Sequence, residues 1–150
     1  MDKEYKWNSI LNYSKYENLI LSKIPKKNTN YDLSHIIKEY KIDIIIDLYT
    51  DHDFYDIPPE IIYHKFICEK KKIPSQDCIN KINTIIKNYK NENYILIHCH
   101  YGFNRTGYIF ISYLCSKGIN LETAMNIFKE IRGKGIKYPE LLESLQNKYS

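Results

Sequence analysis

The chain has 150 residues, a net charge of +4 and a pI of about 8.7, and we expect a single domain over residues 1–150 with a buried core. Hydrophobic residues make up 43% and charged residues 27%, which is typical of a soluble globular protein. No apolar run approaches the ~20 residues of a membrane span, and the first ten residues lack the apolar core of a secretory signal. We therefore expect an intracellular protein, cytoplasmic or nuclear, with no membrane partner.

Strands and helices are predicted to alternate along the chain. Residues 17–24 are predicted as a strand, 25–30 as a loop and 31–40 as a helix capped by Asp32 or Ser34. Strands follow at 42–48, 61–68 and 94–98, with a helix at 77–90; helices are then expected at 104–117, 121–131 and 138–148. This alternation predicts an α/β domain with a central, mainly parallel sheet flanked by helices. Ligands of such sheets bind beyond the carboxyl ends of the strands.

One strand runs directly into a glycine-bearing loop and a helix. The segment reads HCHYGFNRTG over residues 98–107. The backbone N–H groups of residues 100–105 can form an anion-binding nest at the N-terminus of the helix. The same positive end favours the thiolate form of Cys99, and Arg105 can close the ring around a phosphate with two charge-assisted hydrogen bonds.

The remaining residues of this segment are expected to support the nest. Thr106 can donate to the Cys99 sulfur, and His98 can stiffen the loop through backbone carbonyls. Gly102 and Gly107 permit the turn and the close packing of the helix. We expect His100, Tyr101, Gly102, Phe103 and Asn104 to bind substrate together with Arg105. The other cysteines, Cys68, Cys78 and Cys115, are expected to be structural free thiols, because four irregularly spaced cysteines do not indicate a disulfide framework.

This stretch resembles the signature of the protein tyrosine phosphatase superfamily. It is most similar to the RNA 5′-triphosphatase branch, which includes the triphosphatase domain of metazoan mRNA capping enzymes and the baculoviral RNA phosphatase. GFNRTGY, residues 102–108, is identical to the pattern of that branch, while His100-Tyr101 stands where the branch has Thr-His. Further likeness covers IIDLYTDHDFYD (45–56), KFICEKKKIPSQDCI (65–79) and IRGKGIKYPELLESL (131–145).

Basic residues flank the expected site on two sides. One edge holds Lys65, Lys70, Lys71 and Lys72, and the other holds Arg132, Lys134 and Lys137. Arg132 falls where the branch has arginine, and we expect it to contact substrate. Two basic edges around one phosphate cradle favour a polyphosphate or RNA ligand. The Lys-, Asn- and Ile-rich composition indicates an AT-rich genome, viral or parasitic.

The resemblance implies an enzyme that uses Cys99 as a nucleophile, forms a phosphocysteine intermediate and needs no metal or cofactor. Protein phosphatases of the superfamily protonate the leaving group with an aspartic acid, whereas a departing phosphate needs no proton. Here the corresponding loop lacks Trp-Pro-Asp. Asp77 and Glu69 are the candidate general acids, although Asp77 is expected instead to cap the next helix.

The implied substrates are RNA 5′-triphosphate or diphosphate ends, from which the γ-phosphate, and in a second step the β-phosphate, would be removed. A capping guanylyltransferase would be a separate chain. Two alternatives stay open at this point. One is a small dual-specificity protein phosphatase, and the other is an inactive phosphate-binding or structural protein.

Overall fold

The computed structural model describes residues 11–150, and these residues hold one five-stranded sheet and five helices. The strands are β1 (Tyr13–Tyr16), β2 (Leu19–Ser22), β3 (Ile42–Asp47), β4 (Ile62–Lys65) and β5 (Tyr94–His98). The helices are α1 (Leu33–Glu39), α2 (Gln76–Asn88), α3 (Asn104–Ser116), α4 (Leu121–Arg132) and α5 (Pro139–Tyr149). Residues 1–10, where we predict no secretory signal and which complete the expected 1–150 domain, lie outside the described residues.

The sheet has the order β1-β2-β5-β3-β4, and only β1 is antiparallel to its neighbour. The prediction of a mainly parallel sheet flanked by helices is therefore confirmed. Since β2, β3, β4 and β5 run in the same direction, their carboxyl ends share one edge, with β5 at the centre.

Alternate residues of the central strands pack into two separate cores, as the two-residue period of a strand requires. Ile95 and Ile97 face a large core completed by apolar residues of α2, α3, α4 and α5. Leu96 faces the smaller core, which includes Leu33 and Ile36 of α1. Helices thus cover both faces of the sheet, and the strand ends at one edge are left to form a site.

The element boundaries agree with the sequence except at the N-terminal edge, at one cap and at β4, which covers only Ile62–Lys65 of the predicted 61–68 strand. Strand β1 was not predicted, and the predicted 17–24 strand is shortened to β2 because Glu17 adopts a left-handed φ of 52° in the turn between them. Asp32 caps α1 as expected. The expected cap of α2 is wrong: Ser75 accepts from the Cys78 N–H, while Asp77 lies inside the first turn. Within residues 11–150, no helix is long and apolar enough to span a membrane.

Candidate active site

The loop of residues 99–105, called the 99–105 loop below, joins the carboxyl end of β5 to the start of α3. Cys99 is the first residue after β5 and is only 2% exposed. The Thr106 hydroxyl donates to the Cys99 sulfur over 3.1 Å. A hydroxyl donor at this distance stabilises negative charge on the sulfur, both in the free thiolate and when the sulfur acts as a leaving group.

The backbone amides of this loop are available for an anion. Among residues 11–150, no acceptor receives a hydrogen bond from the N–H groups of residues 100–103. The first N–H groups of α3 follow directly, and the N-terminus of a 13-residue helix carries partial positive charge. The loop and the helix together form the type of concave N–H cluster that binds phosphate.

Arg105 is fixed in place by two neighbouring segments. Its Nη1 donates to the Cys68 carbonyl over 3.0 Å, and its guanidinium lies 5.3 Å from the centre of the Tyr49 ring. The side chain is 7% exposed, so few rotamers remain open to it. One hydrogen bond and one ring contact leave further guanidinium N–H groups for a phosphate.

The carbonyl that holds Arg105 belongs to Cys68, whose own thiol is buried. Contact with the Cys78 thiol and burial raise the pKa of Cys68 far above its usual range, so Cys68 remains a neutral thiol. Cys68, Cys78 and Cys115 are all free thiols, as expected.

Gly102 and Gly107 are required by close packing. Gly102 has a φ of +82°, and a Cβ there would lie 2.6 Å from the carbonyl carbon of Ser22. A Cβ on Gly107 would lie 2.8 Å from the Phe128 ring. The first glycine lets the 99–105 loop lie against the end of β2, and the second lets α3 approach α4, as expected from the sequence.

Behind the loop, His98 lies between the Cys99 carbonyl and a buried carboxylate, one oxygen of which is 3.7 Å from the His98 Nε2. The His98 Nδ1 donates to the Cys99 carbonyl over 3.0 Å, and its Nε2 accepts from the Tyr55 hydroxyl over 2.7 Å. Burial lowers the pKa of His98 to about 4, so the imidazole is neutral at physiological pH. With Nδ1 carrying the proton, both ring nitrogens are satisfied and the backbone at Cys99 is held in one orientation.

The carboxylate behind His98 belongs to Asp47, which is fully buried at the end of β3. Asp47 accepts hydrogen bonds from the Tyr49 N–H (2.9 Å), the His52 Nε2 (2.7 Å), the Lys65 Nζ (3.1 Å) and the Tyr63 hydroxyl. Burial alone would raise the pKa of Asp47, but the charge that His98 carries below its own pKa of about 4, together with the hydrogen bonds, outweighs burial and holds the pKa of Asp47 below its usual value. The ionised carboxylate therefore organises the strand ends around the loop.

Asp47, His52 and His98 also have the residue types of a metal site, with ligand atoms within 4.8 Å of one another. Their hydrogen bonds use these atoms differently. The His52 Nε2 donates to Asp47, since its Nδ1 accepts from the Phe54 N–H, and the His98 Nε2 accepts from Tyr55. The three residues thus form a satisfied hydrogen-bond network.

The structure corrects the expectation that Arg132 contacts substrate. Arg132 is 1% exposed and lies beneath the loop, on its carbonyl side. It donates to the Gly102 carbonyl (3.2 Å), the Tyr101 carbonyl (3.4 Å), the Ser14 hydroxyl (3.1 Å) and the Leu11 carbonyl (3.1 Å). Burial lowers the pKa of Arg132 to about 10, which keeps it charged at neutral pH. Arg132 is therefore a support of the loop.

Three further side chains that the sequence analysis named are bound by partners elsewhere in the protein. The Asn104 Oδ1 accepts from the Lys137 N–H over 2.7 Å, so this side chain ties the loop to the segment before α5. Lys65 donates to Asp47 and to the Thr50 carbonyl and belongs to the buried network. Asp77 is exposed and pairs with Lys81 over 3.0 Å, which leaves its carboxylate bound to a lysine on its own helix.

A cavity of about 590 Å³ opens beside the loop. His100, Tyr101, Phe103 and Asn104 line one wall. The other walls come from the segments after β2, after β4 and between α4 and α5. Four of the expected substrate-binding residues of the loop are thereby brought to one cavity, whereas the buried Gly102 and Arg105 do not line it.

Sequence reasoning missed the roles of Asp47, Tyr49 and Tyr55. One signal for Asp47 was available, because a carboxylate at the end of a strongly apolar strand must find buried partners. For Tyr49 and Tyr55 no such signal exists in a chain with 15 tyrosines.

Residues 26–150 match the family described as dual specificity phosphatase, catalytic domain. The RNA/RNP complex-1-interacting phosphatase of Mus musculus is 32% identical over 129 residues, which cover 79% of this chain and 40% of that protein. The mRNA-capping enzyme of Caenorhabditis elegans is 29% identical over 73% of this chain and 19% of its own length. The tyrosine-protein phosphatase of Autographa californica nuclear polyhedrosis virus is 26% identical over 69% of this chain and 67% of its own length.

The chain thus spans about two fifths of the length of the mouse relative. A solved structure of the phosphatase Tk-PTP in its active form superposes with a TM-score of 0.76 at 19% identity, covering 91% of this chain and 95% of that one. That likeness supports the fold, and the family match covers the 99–105 loop. The chain therefore belongs to the dual specificity phosphatase family of cysteine-dependent phosphatases.

Proposed function

We propose that this protein is a metal-independent RNA 5′-polyphosphatase, which removes the γ-phosphate of triphosphate RNA ends through a phosphocysteine on Cys99. The proposal goes beyond the family, whose members act on more than one class of phosphate ester. It is supported by the relatives named as capping enzymes and as an RNA/RNP complex-1-interacting phosphatase. The observation that carries it lies in the loop between β4 and α2.

That loop offers no well-placed general acid. Glu69 is the only carboxylate in residues 66–75, and it is exposed. Asp77 follows inside α2 and pairs with Lys81. A phosphotyrosine leaving group has a pKa of about 10 and gains greatly from protonation, whereas a departing phosphate has a relevant pKa of about 6 and leaves as the anion. A loop without a well-placed acid is therefore better suited to a phosphate leaving group than to a phenolate.

The proposed reaction has two steps. The Cys99 thiolate attacks the γ-phosphorus, forming an S–P bond while the P–O bond to the β-phosphate breaks and diphosphate RNA departs. Water then attacks the same phosphorus, the S–P bond breaks, and the water proton passes to solvent as inorganic phosphate leaves. The free N–H groups of the loop and Arg105 stabilise the oxygens in both steps, and Thr106 donates to the sulfur when it departs.

The experiment uses one RNA sequence labelled at either the γ- or the β-phosphate, in excess EDTA. We expect release of the γ-label, with kcat/KM above that for p-nitrophenyl phosphate and for a phosphotyrosine peptide. Cys99→Ser is the control and should abolish release, because a serine hydroxyl is not ionised at neutral pH. A strict requirement for magnesium or manganese, or a higher kcat/KM on the peptide, would overturn the proposal; the peptide result would favour a protein phosphatase.

The β-label shows where hydrolysis stops. A diphosphate end left by the first step is the substrate class of a guanylyltransferase, and we propose that such an enzyme would act on the RNA next. Release of the β-label as well would instead leave a monophosphate end, which cannot accept that step.

A further inference from the structure

The cavity beside the 99–105 loop is larger than one phosphate requires and has an uneven charge. Five lysines line it, namely Lys23, Lys26, Lys70, Lys134 and Lys137. Among residues 11–150, no aspartate or glutamate lines it, although the whole chain has 18 acidic residues against 22 basic ones. Its volume of about 590 Å³ falls in the range of pockets that enclose a complete small ligand. A cavity with this lining favours an extended anion.

The first two of these lysines follow the carboxyl end of β2, which lies beside β5 in the sheet. The Ile24 N–H donates to the His100 carbonyl over 2.9 Å, so the segment after β2 runs directly along the 99–105 loop. Lys23 lies with its Nζ 5.8 Å from the centre of the Tyr31 ring, and the Lys26 Nζ lies 4.8 Å from the centre of the Phe54 ring. Each ammonium group therefore lies against an aromatic ring.

The charges act on the loop itself. Burial lowers the pKa of His100, and the positive charges of Lys26, Arg105 and Lys70 lower it further. Cations from three separate segments thus act on one imidazole of the loop.

The cavity also has an exposed aromatic face. Tyr101 is 55% exposed on the loop, although its neighbour Phe103 is buried. The Tyr101 ring lies 4.2 Å from the His100 ring, and the His100 ring stacks on Tyr49 at 5.1 Å. Tyr49 in turn packs under Arg105. A supported ring with an open side, beside a phosphate site, is suited to stacking on a nucleobase.

We propose that this cavity is a subsite for the first nucleotide of the RNA, in which Lys23 and Lys26 pair with the phosphates that follow the reacting one and Tyr101 stacks on the first base. The inference rests on the proposed function and assigns specificity to residues outside the signature motif. An RNA end is favoured over a phosphopeptide because the cavity combines five lysines with an open aromatic ring.

Binding is measured on the Cys99→Ser protein, which cannot turn over substrate. Fluorescence anisotropy follows a labelled ten-nucleotide RNA with a 5′-triphosphate, beside the same RNA with a 5′-hydroxyl, over a range of salt concentrations. We expect tighter binding of the triphosphate form. Adding Lys23→Ala and Lys26→Ala should reduce the slope of log K against log salt by about 1.4, since each phosphate contact on a single strand contributes about 0.7. Lys87→Ala, an exposed lysine on α2 outside the cavity, is the matched control and should leave the slope unchanged.

The base contact is tested separately. Tyr101→Ala should weaken RNA binding about 5- to 100-fold, whereas Tyr101→Phe should retain it, because stacking needs the ring. Competition by inorganic tripolyphosphate measures the phosphate contacts alone and should be the same in both variants. Equal losses for tripolyphosphate and RNA in Tyr101→Ala would show a structural defect and overturn the stacking role.

The outcomes separate the subsite from the proposed function. Triphosphate-dependent binding that falls in the lysine variants, without release of the γ-label by the unmodified protein, would support the subsite and overturn the reaction. Release of the γ-label with unchanged salt slopes in the lysine variants would overturn the phosphate contacts of the subsite and leave the reaction standing. A larger effect of the lysine variants on a phosphopeptide than on RNA would overturn the choice of RNA as the ligand.

Discussion

The buried imidazole of His98 makes the stability of this protein sensitive to mild acid. In the folded chain His98 is fully buried and neutral, and its pKa is lowered to about 4. In the unfolded chain it has an ordinary pKa of about 6.5. Below that value the unfolded chain takes up a proton that the folded chain does not, so the free energy of unfolding falls as the pH falls from about 6.5 towards 4.

The size of the effect follows from the two pKa values. A difference of about 2.5 units corresponds to about 3 kcal/mol when the loss is complete, below pH 4. By pH 5 about 2 kcal/mol is already lost relative to pH 7. Asp47 does not add to this change, because its pKa is held below its usual value and it titrates in a more acidic range.

The assay compares urea unfolding of the natural chain and of His98→Asn at pH 7 and pH 5, followed by circular dichroism. The asparagine amide can donate to the Cys99 carbonyl but does not titrate, so the variant should lack this ~2 kcal/mol loss even if it is less stable at pH 7. Equal losses in the two proteins between pH 7 and pH 5 would refute the reasoning. His100 is present in both proteins, so its own lowered pKa does not enter the difference.

Three further substitutions test the active site. Arg105→Lys should lower kcat on triphosphate RNA by about 100-fold or more in a protein whose circular dichroism spectrum shows an intact fold, because a point charge cannot replace the planar guanidinium; retention of more than about a tenth of the rate would contradict its role. Asp77→Asn should change the single-turnover rate on the same RNA less than about tenfold, and a loss above about 100-fold would show that protonation matters. Gly102→Ala should lower both melting temperature and kcat, since its Cβ would meet Ser22 at 2.6 Å. Gly133→Ala is the control, with a similar φ of +89° and no atom within 4 Å of the added Cβ, and equal effects of the two would refute the steric argument.

Much of the fold could be predicted because its signals are local. The apolar run that contains β3 and the segment from β5 into the 99–105 loop are specified by neighbouring residues, and so is the position of Cys99 relative to Thr106. Strand β1 gives no such signal, because it is four residues long, lies at the sheet edge and buries only Ser14. An edge strand of this kind is defined by its partner rather than by its own pattern.

The contacts behind the loop could not be predicted for a related reason. Arg132 looks in sequence like a member of a basic surface edge, beside Lys134 and Lys137. The buried position of Arg132 depends on hydrogen bonds to the Ser14 hydroxyl, 118 positions away in the sequence, and to carbonyls of the 99–105 loop. The predicted cap of α2 was wrong for a local reason. Ser75 and Asp77 are both good capping residues, and only the backbone geometry decides which of them caps the helix.

The position of Arg132 has a consequence for how the loop behaves when it is empty. A loop that turns its N–H groups towards an anion must turn carbonyl oxygens the other way, and it therefore has a negative face as well as a positive one. Arg132 acts as a built-in counter-ion to the negative face through the carbonyls of Tyr101 and Gly102. The peptide dipoles of the loop can therefore stay aligned before a phosphate binds. Phosphate binding then requires little free energy for reorganising the loop. The anion therefore binds a loop that already has the required conformation.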